Sequence, residues 1–90
     1  METIWLEDFL ALASELNFSR AAQRRHITQP AFSRRIRALE SWVGAPLFTR
    51  TTHNVGMTAA GTVFQAQAVM LSRDIQRLRQ ETRAAAGIDA

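Results

Sequence analysis

Ninety residues with 47% apolar side chains suit one small globular domain, and a chain this short buries so modest a core that a partner subunit would add to its stability. The lack of any cysteine excludes a disulfide staple and a thiolate metal site. The net charge of +3 hides a sharp division: residues 1–19 hold four acids and no base, residues 20–50 hold seven arginines against Glu40, and residues 51–90 hold four arginines against three acids.

In chain order, Trp5, Leu6, Phe9, Leu10, Leu12, Ala13 and Leu16 recur at helical spacing and predict an amphipathic helix from about 3 to 16. Its acids, Glu2, Glu7, Asp8 and Glu15, stand where a secretory leader needs positive charge, so export is not expected. Asn17-Phe18 breaks the helix. Ser19 is an N-cap candidate for a short second helix, "RAAQRRH", in which Ala21 and Ala22 are small enough for another helix to approach closely. After the brief connection "HIT", the Thr28 hydroxyl can cap a third helix, and Pro30 falls in its first turn, where a missing N–H is harmless. Neither start has a Glu or Gln three residues on, so each rests on a single cap.

The third helix is predicted over 29–43, with Gly44 as a left-handed terminator. Phe32, Ile36, Leu39 and Val43 form one apolar stripe, expected in the core. The other face carries Gln29, Ser33, Arg34 and Arg37, with Arg35 on the flank. Two helices joined by a tight turn, the second with an arginine-bearing polar face, is the helix-turn-helix arrangement, whose second helix enters the major groove by its N-terminal end. Arginine can bond both guanine O6 and N7, glutamine both adenine N6 and N7, and Pro30 and the Ala31 methyl can meet a thymine methyl. Each residue also has a plain alternative: Gln29 as a helix cap, Ser33 as a small side chain, Arg37 paired with Glu40 or Ser41. It is the set on one face that favours base contact.

"APLFTRTTHNVGMT" differs in kind. Leu47 and Phe48 are expected to be buried, Thr49 to Thr52 favour a strand, His53-Asn54 a turn, and Val55 to Met57 a returning strand. This predicts a two-stranded wing with Arg50 able to reach a DNA backbone or a minor groove, which attracts arginine where it is narrow. The alternative is a lone exposed arginine at a strand end. The longest uncharged run, 51–72, is interrupted by Thr51, Thr52, His53, Asn54, Gln65 and Gln67 and does not read as a membrane span.

Thr58 is expected to cap a final helix from about 59 to 86, roughly 40 Å long at ~1.5 Å per residue. Phe64, Ala68, Leu71, Ile75, Leu78, Thr82 and Ala85 are spaced as a heptad seam, flanked by Arg73, Asp74, Arg77 and Glu81. A helix of that length overreaches a small domain, so pairing with a second copy is expected. The alternative is a helix folded back on its own domain, and the small or polar Ala68 and Thr82 favour it.

The run "FSRAAQRRHITQPAFSRRIRALESWVGAPLFTRT", continuing to "MTAAG", resembles the DNA-binding domain of LysR-type transcriptional regulators, a bacterial family. The resemblance covers nearly the whole chain. It rests on Ala21-Ala22, Thr28-Gln29-Pro30, Ser33-Arg34, Ile36 to Glu40, Gly44, Pro46-Leu47-Phe48, Arg50, Thr58 and Ala60-Gly61. It implies a mainly α fold: a winged helix-turn-helix over 1–58, followed by a linker and dimerisation helix over 59–90. In the family, the positions matching Gln29, Pro30, Ser33 and Arg34 meet the major groove, and the position matching Arg50 lies in the wing at the minor groove. Thr28 and Arg37 are added to the recognition-helix set and His53 to the wing, while Ser19, Arg20 and Arg35 are assigned to the DNA backbone. Phe64, Ala68, Leu71, Ile75 and Leu78 are the expected dimer interface.

Two departures stand out. After Arg50 the family often has a further basic residue where this chain has Thr51-Thr52-His53-Asn54, so lighter wing contact is expected. Arg35 replaces a frequent glutamine. The effector-binding domain of family members is not expected within these residues. The sequence therefore predicts a cytoplasmic, sequence-specific binder of double-stranded DNA, acting as a homodimer, with a tetramer as a further level of assembly for a full-length protein. No cofactor and no membrane are expected. An enzyme is disfavoured because His26 and His53 are the only histidines and no triad or metal spacing accompanies them. The competing class is a dimerisation or protein-interaction module with non-specific nucleic-acid affinity. RNA binding is disfavoured by the lack of an aromatic stacking platform.

Overall fold

The computed structural model describes residues 1–88 and orders them as α1 (Thr3–Glu15), α2 (Phe18–Arg24), α3 (Gln29–Val43), β1 (Phe48–Arg50), β2 (Val55–Met57) and α4 (Ala59–Ala85). Local chemistry sets the boundaries. α1 ends at Leu16, which takes left-handed backbone angles (φ 48°) and returns its N–H to the Leu12 carbonyl at 2.7 Å. The cap of α2 is Asn17, whose side chain accepts from Arg20 N–H at 2.9 Å. This corrects the expectation for Ser19, which lies inside the helix. Asn17 wins because its extended backbone (φ −153°) and short amide suit the position before a helix. Thr28 caps α3 by accepting from Ala31 N–H, and Gly44 ends it at φ 88°, as the sequence predicts.

The two strands pair antiparallel, with Phe48 opposite Met57, Thr49 opposite Gly56 and Arg50 opposite Val55. Thr51 N–H bonds the Asn54 carbonyl at 2.9 Å, and Asn54 N–H bonds Thr51 Oγ1 at 3.0 Å, closing a tight wing tip that presents Thr52 and His53 to solvent.

The core lies where α1, α2 and α3 converge with the base of the wing. Phe9, Leu12, Ala21, Phe32, Ile36, Leu39 and Leu47 are fully buried, and Ala22 and Phe48 nearly so. The alanine pair acts as expected, letting α2 sit close to its neighbours. Val43 departs from the expected stripe: at the last turn of α3 it is exposed, because the core ends one turn earlier at Leu39.

α4 has two parts. Phe64 stacks on Phe9 with ring centroids 4.7 Å apart, and Ala68 is buried within the chain. Ala68 is thus covered within the chain, while the half-buried Phe64 packs on the core through one face and leaves the rest of its side chain along the groove between α1 and α4. From Met70 to Ala85 no residue is buried, and Leu71 and Leu78 are 43% and 66% exposed. The second half faces Thr3, Leu6 and Glu7 through Ser72, Ile75 and Gln76, has an exposed apolar stripe among the described residues beyond that, and stretches the molecule to 52 × 26 × 19 Å.

Thr58 joins wing and helix. Its hydroxyl donates to the Pro46 carbonyl at 2.7 Å and accepts from Gly61 N–H at 3.0 Å, while its N–H bonds the Leu47 carbonyl at 3.0 Å. Among the described residues, no helix is long and apolar enough to cross a membrane.

Candidate nucleic-acid interface

The arginines divide into paired and free. Asp8, fully buried, lies between two of them: Arg25 Nε donates to Oδ1 at 2.8 Å, and Arg35 Nη2 donates to the same oxygen at 2.9 Å. Arg35 Nε lies 2.8 Å from Oδ2 but out of line for a hydrogen bond, so that contact is ionic. Glu7 also reaches Arg25 at 2.9 Å, and Glu15 reaches Arg24 at 3.2 Å. Burial lowers the Arg25 pKa, but the hydrogen bond and charge of Asp8 and the charge of Glu7 outweigh it and raise the pKa further, keeping Arg25 charged. The acids of α1 therefore neutralise basic residues of α2 and α3. The pairing ties α3 to α1 through Arg35, whose side chain remains 27% exposed.

Arg50 is paired as well. Its Nη2 donates to Glu40 Oε1 at 2.9 Å, and its guanidinium lies 5.0 Å from the centroid of the Phe18 ring. Glu40 was a possible partner for Arg37 on sequence alone; it turns instead to the wing.

Among the described residues, no carboxylate lies within 4.0 Å of Arg20, Arg34 or Arg37. Arg34 and Arg37 share the outer face of α3 with Gln29, Pro30 and Ser33, and these five line one shallow depression. All but the half-buried Ser33 are exposed. Thr28 stands exposed at the start of the same helix. Ser19 donates to Gln29 Oε1 at 2.9 Å, tying the start of α2 to the start of α3. A second depression, lined by Asn17, Ser19, Gln29 and the wing tip from Thr51 to Val55, sets His53 beside the helix-turn-helix. The result is a convex, positively charged helix with a wing at its flank, of a size that a major groove about 12 Å wide admits.

Met1, Leu6, Trp42, Phe64, Met70 and Leu71 line an apolar groove between α1, the end of α3 and α4. Trp42, 59% exposed, was not singled out from the sequence; its place three residues after Leu39, on the flank of the apolar stripe of α3, was the available signal.

Comparison with known proteins agrees with this geometry. The sequence pattern of bacterial regulatory helix-turn-helix proteins of the lysR family matches residues 4–62. The transcriptional regulator TfdT of Cupriavidus pinatubonensis is 46% identical over 86 residues, which is 96% of this chain and 38% of TfdT. The crystal structure of Vibrio fischeri DarR in complex with DNA superposes on the whole chain with a TM-score of 0.93 and 42% identity, matching 31% of the DarR chain. The CbnR DNA-binding domain, crystallised with DNA, covers 96% of this chain and 99% of its own, with a TM-score of 0.91 and 36% identity. This chain, with its winged helix-turn-helix and long final helix, belongs to the LysR family of bacterial regulatory helix-turn-helix proteins.

Proposed function

We propose that the chain binds double-stranded DNA in a sequence-specific manner as a homodimer and is the DNA-binding part of a cytoplasmic transcriptional regulator. One observation carries this reading. Of the seven arginines between residues 20 and 50, Arg24, Arg25, Arg35 and Arg50 are internally paired, and the two free ones on α3 stand beside Gln29, Pro30 and Ser33 on its outer face. Charge that served solubility alone would have no reason to concentrate there. In this reading residues 1–58 form the winged helix-turn-helix. Thr28, Gln29, Pro30, Ser33, Arg34 and Arg37 face the major groove, Ser19 and Arg20 the backbone, and Arg50 and His53 the flanking groove. The co-crystallised DNA of the DarR and CbnR structures supports the assignment.

Residues 59–90 serve as linker and dimerisation helix. Leu71, Ile75 and Leu78, together with the apolar groove at Trp42 and Met70, are the surface offered to a second copy. Two copies on one side of a duplex read half-sites with centres roughly 34 Å apart, or a multiple of that.

Two outcomes are expected. Arg34→Ala weakens binding to a selected duplex by ~1 to 3 kcal/mol and relaxes the preference at one base pair. Fluorescence anisotropy against single-base variants of that duplex measures it, and an unchanged preference removes Arg34 from base readout. Leu71→Asp dissociates the dimer at micromolar concentration in sedimentation velocity, because a carboxylate in an apolar contact must be desolvated. A dimer that survives this change places the seam elsewhere.

A further inference from the structure

Glu40 is the one acid between residues 20 and 50, and it is spent on the wing. Its side chain is 13% exposed, unusual for a carboxylate on a surface helix. Oε2 accepts from Leu47 N–H at 2.7 Å and from Phe48 N–H at 3.2 Å, and Oε1 accepts from Arg50 Nη2 at 2.9 Å. Both oxygens are thus used, one on the backbone leading into β1 and the other on the side chain at its end. Beneath the Arg50 guanidinium lies Phe18, which meets Phe32 of α3 edge-on with centroids 6.1 Å apart. The wing arginine is held by groups from α2 and α3, and its remaining N–H donors have no partner among the described residues.

We propose that Glu40 is a positioning residue that locks the wing to the recognition helix and presents Arg50 to DNA already oriented and already neutralised. This rests on the DNA-binding reading above. Arg50 then contributes directed hydrogen bonds from a side chain ordered before binding, so little rotamer entropy is lost on contact. It does not act as a free counter-charge to a phosphate. The two roles separate in the salt dependence, because each phosphate neutralised by a free cation adds about 0.9 to the slope of log affinity against log salt.

The test is a cycle of the 90-residue chain as wild type, Glu40→Gln, Arg50→Ala and the double variant, titrated against a selected duplex and a scrambled one from low to moderate salt. In Glu40→Gln, Arg50 is released as a free cation, so the slope steepens by about 0.9 per protomer and affinity for the scrambled duplex rises. In Arg50→Ala, affinity for the selected duplex falls about tenfold, as for one lost charge-assisted hydrogen bond. Adding Arg50→Ala to Glu40→Gln removes the extra slope. A carboxylate that only braced the fold would lower thermal stability without moving the slope.

The double variant replaces the pair without changing net charge, so a slope about 0.9 per protomer below wild type makes Arg50 an ordinary phosphate contact and overturns the assignment; where Glu40→Gln fails to fold, an Arg50→Ala affinity for the selected duplex equal to that of wild type overturns it. A Glu40→Gln slope equal to that of wild type overturns it too, while leaving DNA binding intact. Absence of salt-dependent DNA binding by the wild-type chain overturns the DNA reading and this assignment together.

Discussion

Gly61→Ala lowers the midpoint of thermal unfolding by roughly 12 °C or more, against the direction that helix propensity alone would set. Gly61 is buried in the first turn of α4, where alanine is ordinarily favoured over glycine by about 1 kcal/mol. Here a Cβ would press into the carbonyl oxygen of Leu47 and lie 3.1 Å from its carbonyl carbon, with the Met57 Cβ at 3.4 Å. The two Leu47 atoms belong to the backbone and cannot swing aside like a side-chain tip. The same carbonyl accepts from Thr58 N–H, and Thr58 caps α4, so moving it disturbs the junction between wing and helix. Overpacking of this kind costs about 3 kcal/mol, which exceeds the propensity gain. Circular dichroism melts of the variant and wild type at equal concentration measure the shift, and a midpoint at or above that of wild type would show the contact to be soft.

A second large effect is expected at Asp8. Asp8→Ala removes the one carboxylate shared by Arg25 and Arg35, whose side chains are only 23% and 27% exposed. Breaking a buried ion pair by deleting one partner costs about 3 to 5 kcal/mol. The lower end applies here, because both guanidiniums lie near enough to the surface to turn toward water. Released in this way they add free positive charge to the domain. Stability therefore falls while affinity for a non-specific duplex rises and its salt slope steepens. Chemical unfolding and a scrambled-duplex titration of one preparation test both halves. A loss of stability below about 1 kcal/mol would mean that the arginines find other partners.

The fold was legible in the sequence to the extent that local chemistry dictates it. The 4-3-4 spacing of Phe32, Ile36, Leu39 and Val43, the Thr28 cap, Pro30 and Gly44 delimit α3 without tertiary information, and its bounds agree with the structure. Thr58 and the long apolar recurrence do the same for α4. What escaped was tertiary. Periodicity places Phe64 and Ala68 on a seam but does not say that Phe9 of α1 meets the Phe64 ring or that Ala68 is already covered within one copy. Asn17 and Ser19 are both able caps, and only the backbone path chooses Asn17.

The candidate site shows the same limit. Counting charges identified a basic middle segment but not which arginines remain available. Asp8 sits beside Phe9 on the buried side of α1, Arg35 flanks the polar face of α3, and 27 residues separate the two partners. The acid-only start of the chain, set against an arginine-rich middle, was the one signal that some of those arginines would be consumed internally. Gln29, Pro30, Ser33, Arg34 and Arg37 share a face in sequence and structure alike, because helical geometry alone brings them together.

Selection of binding sites from a random duplex library, at two salt concentrations, tests sequence-specific reading by a dimer most directly. The expected result is an enriched motif with two related halves, centres roughly 34 Å or a multiple apart, and a salt slope that reflects phosphate contacts from both protomers. Salt-sensitive binding with no enriched motif would contradict that reading, reducing the outer face of α3 to a basic surface and leaving α4 and its apolar groove as the functional part of the chain.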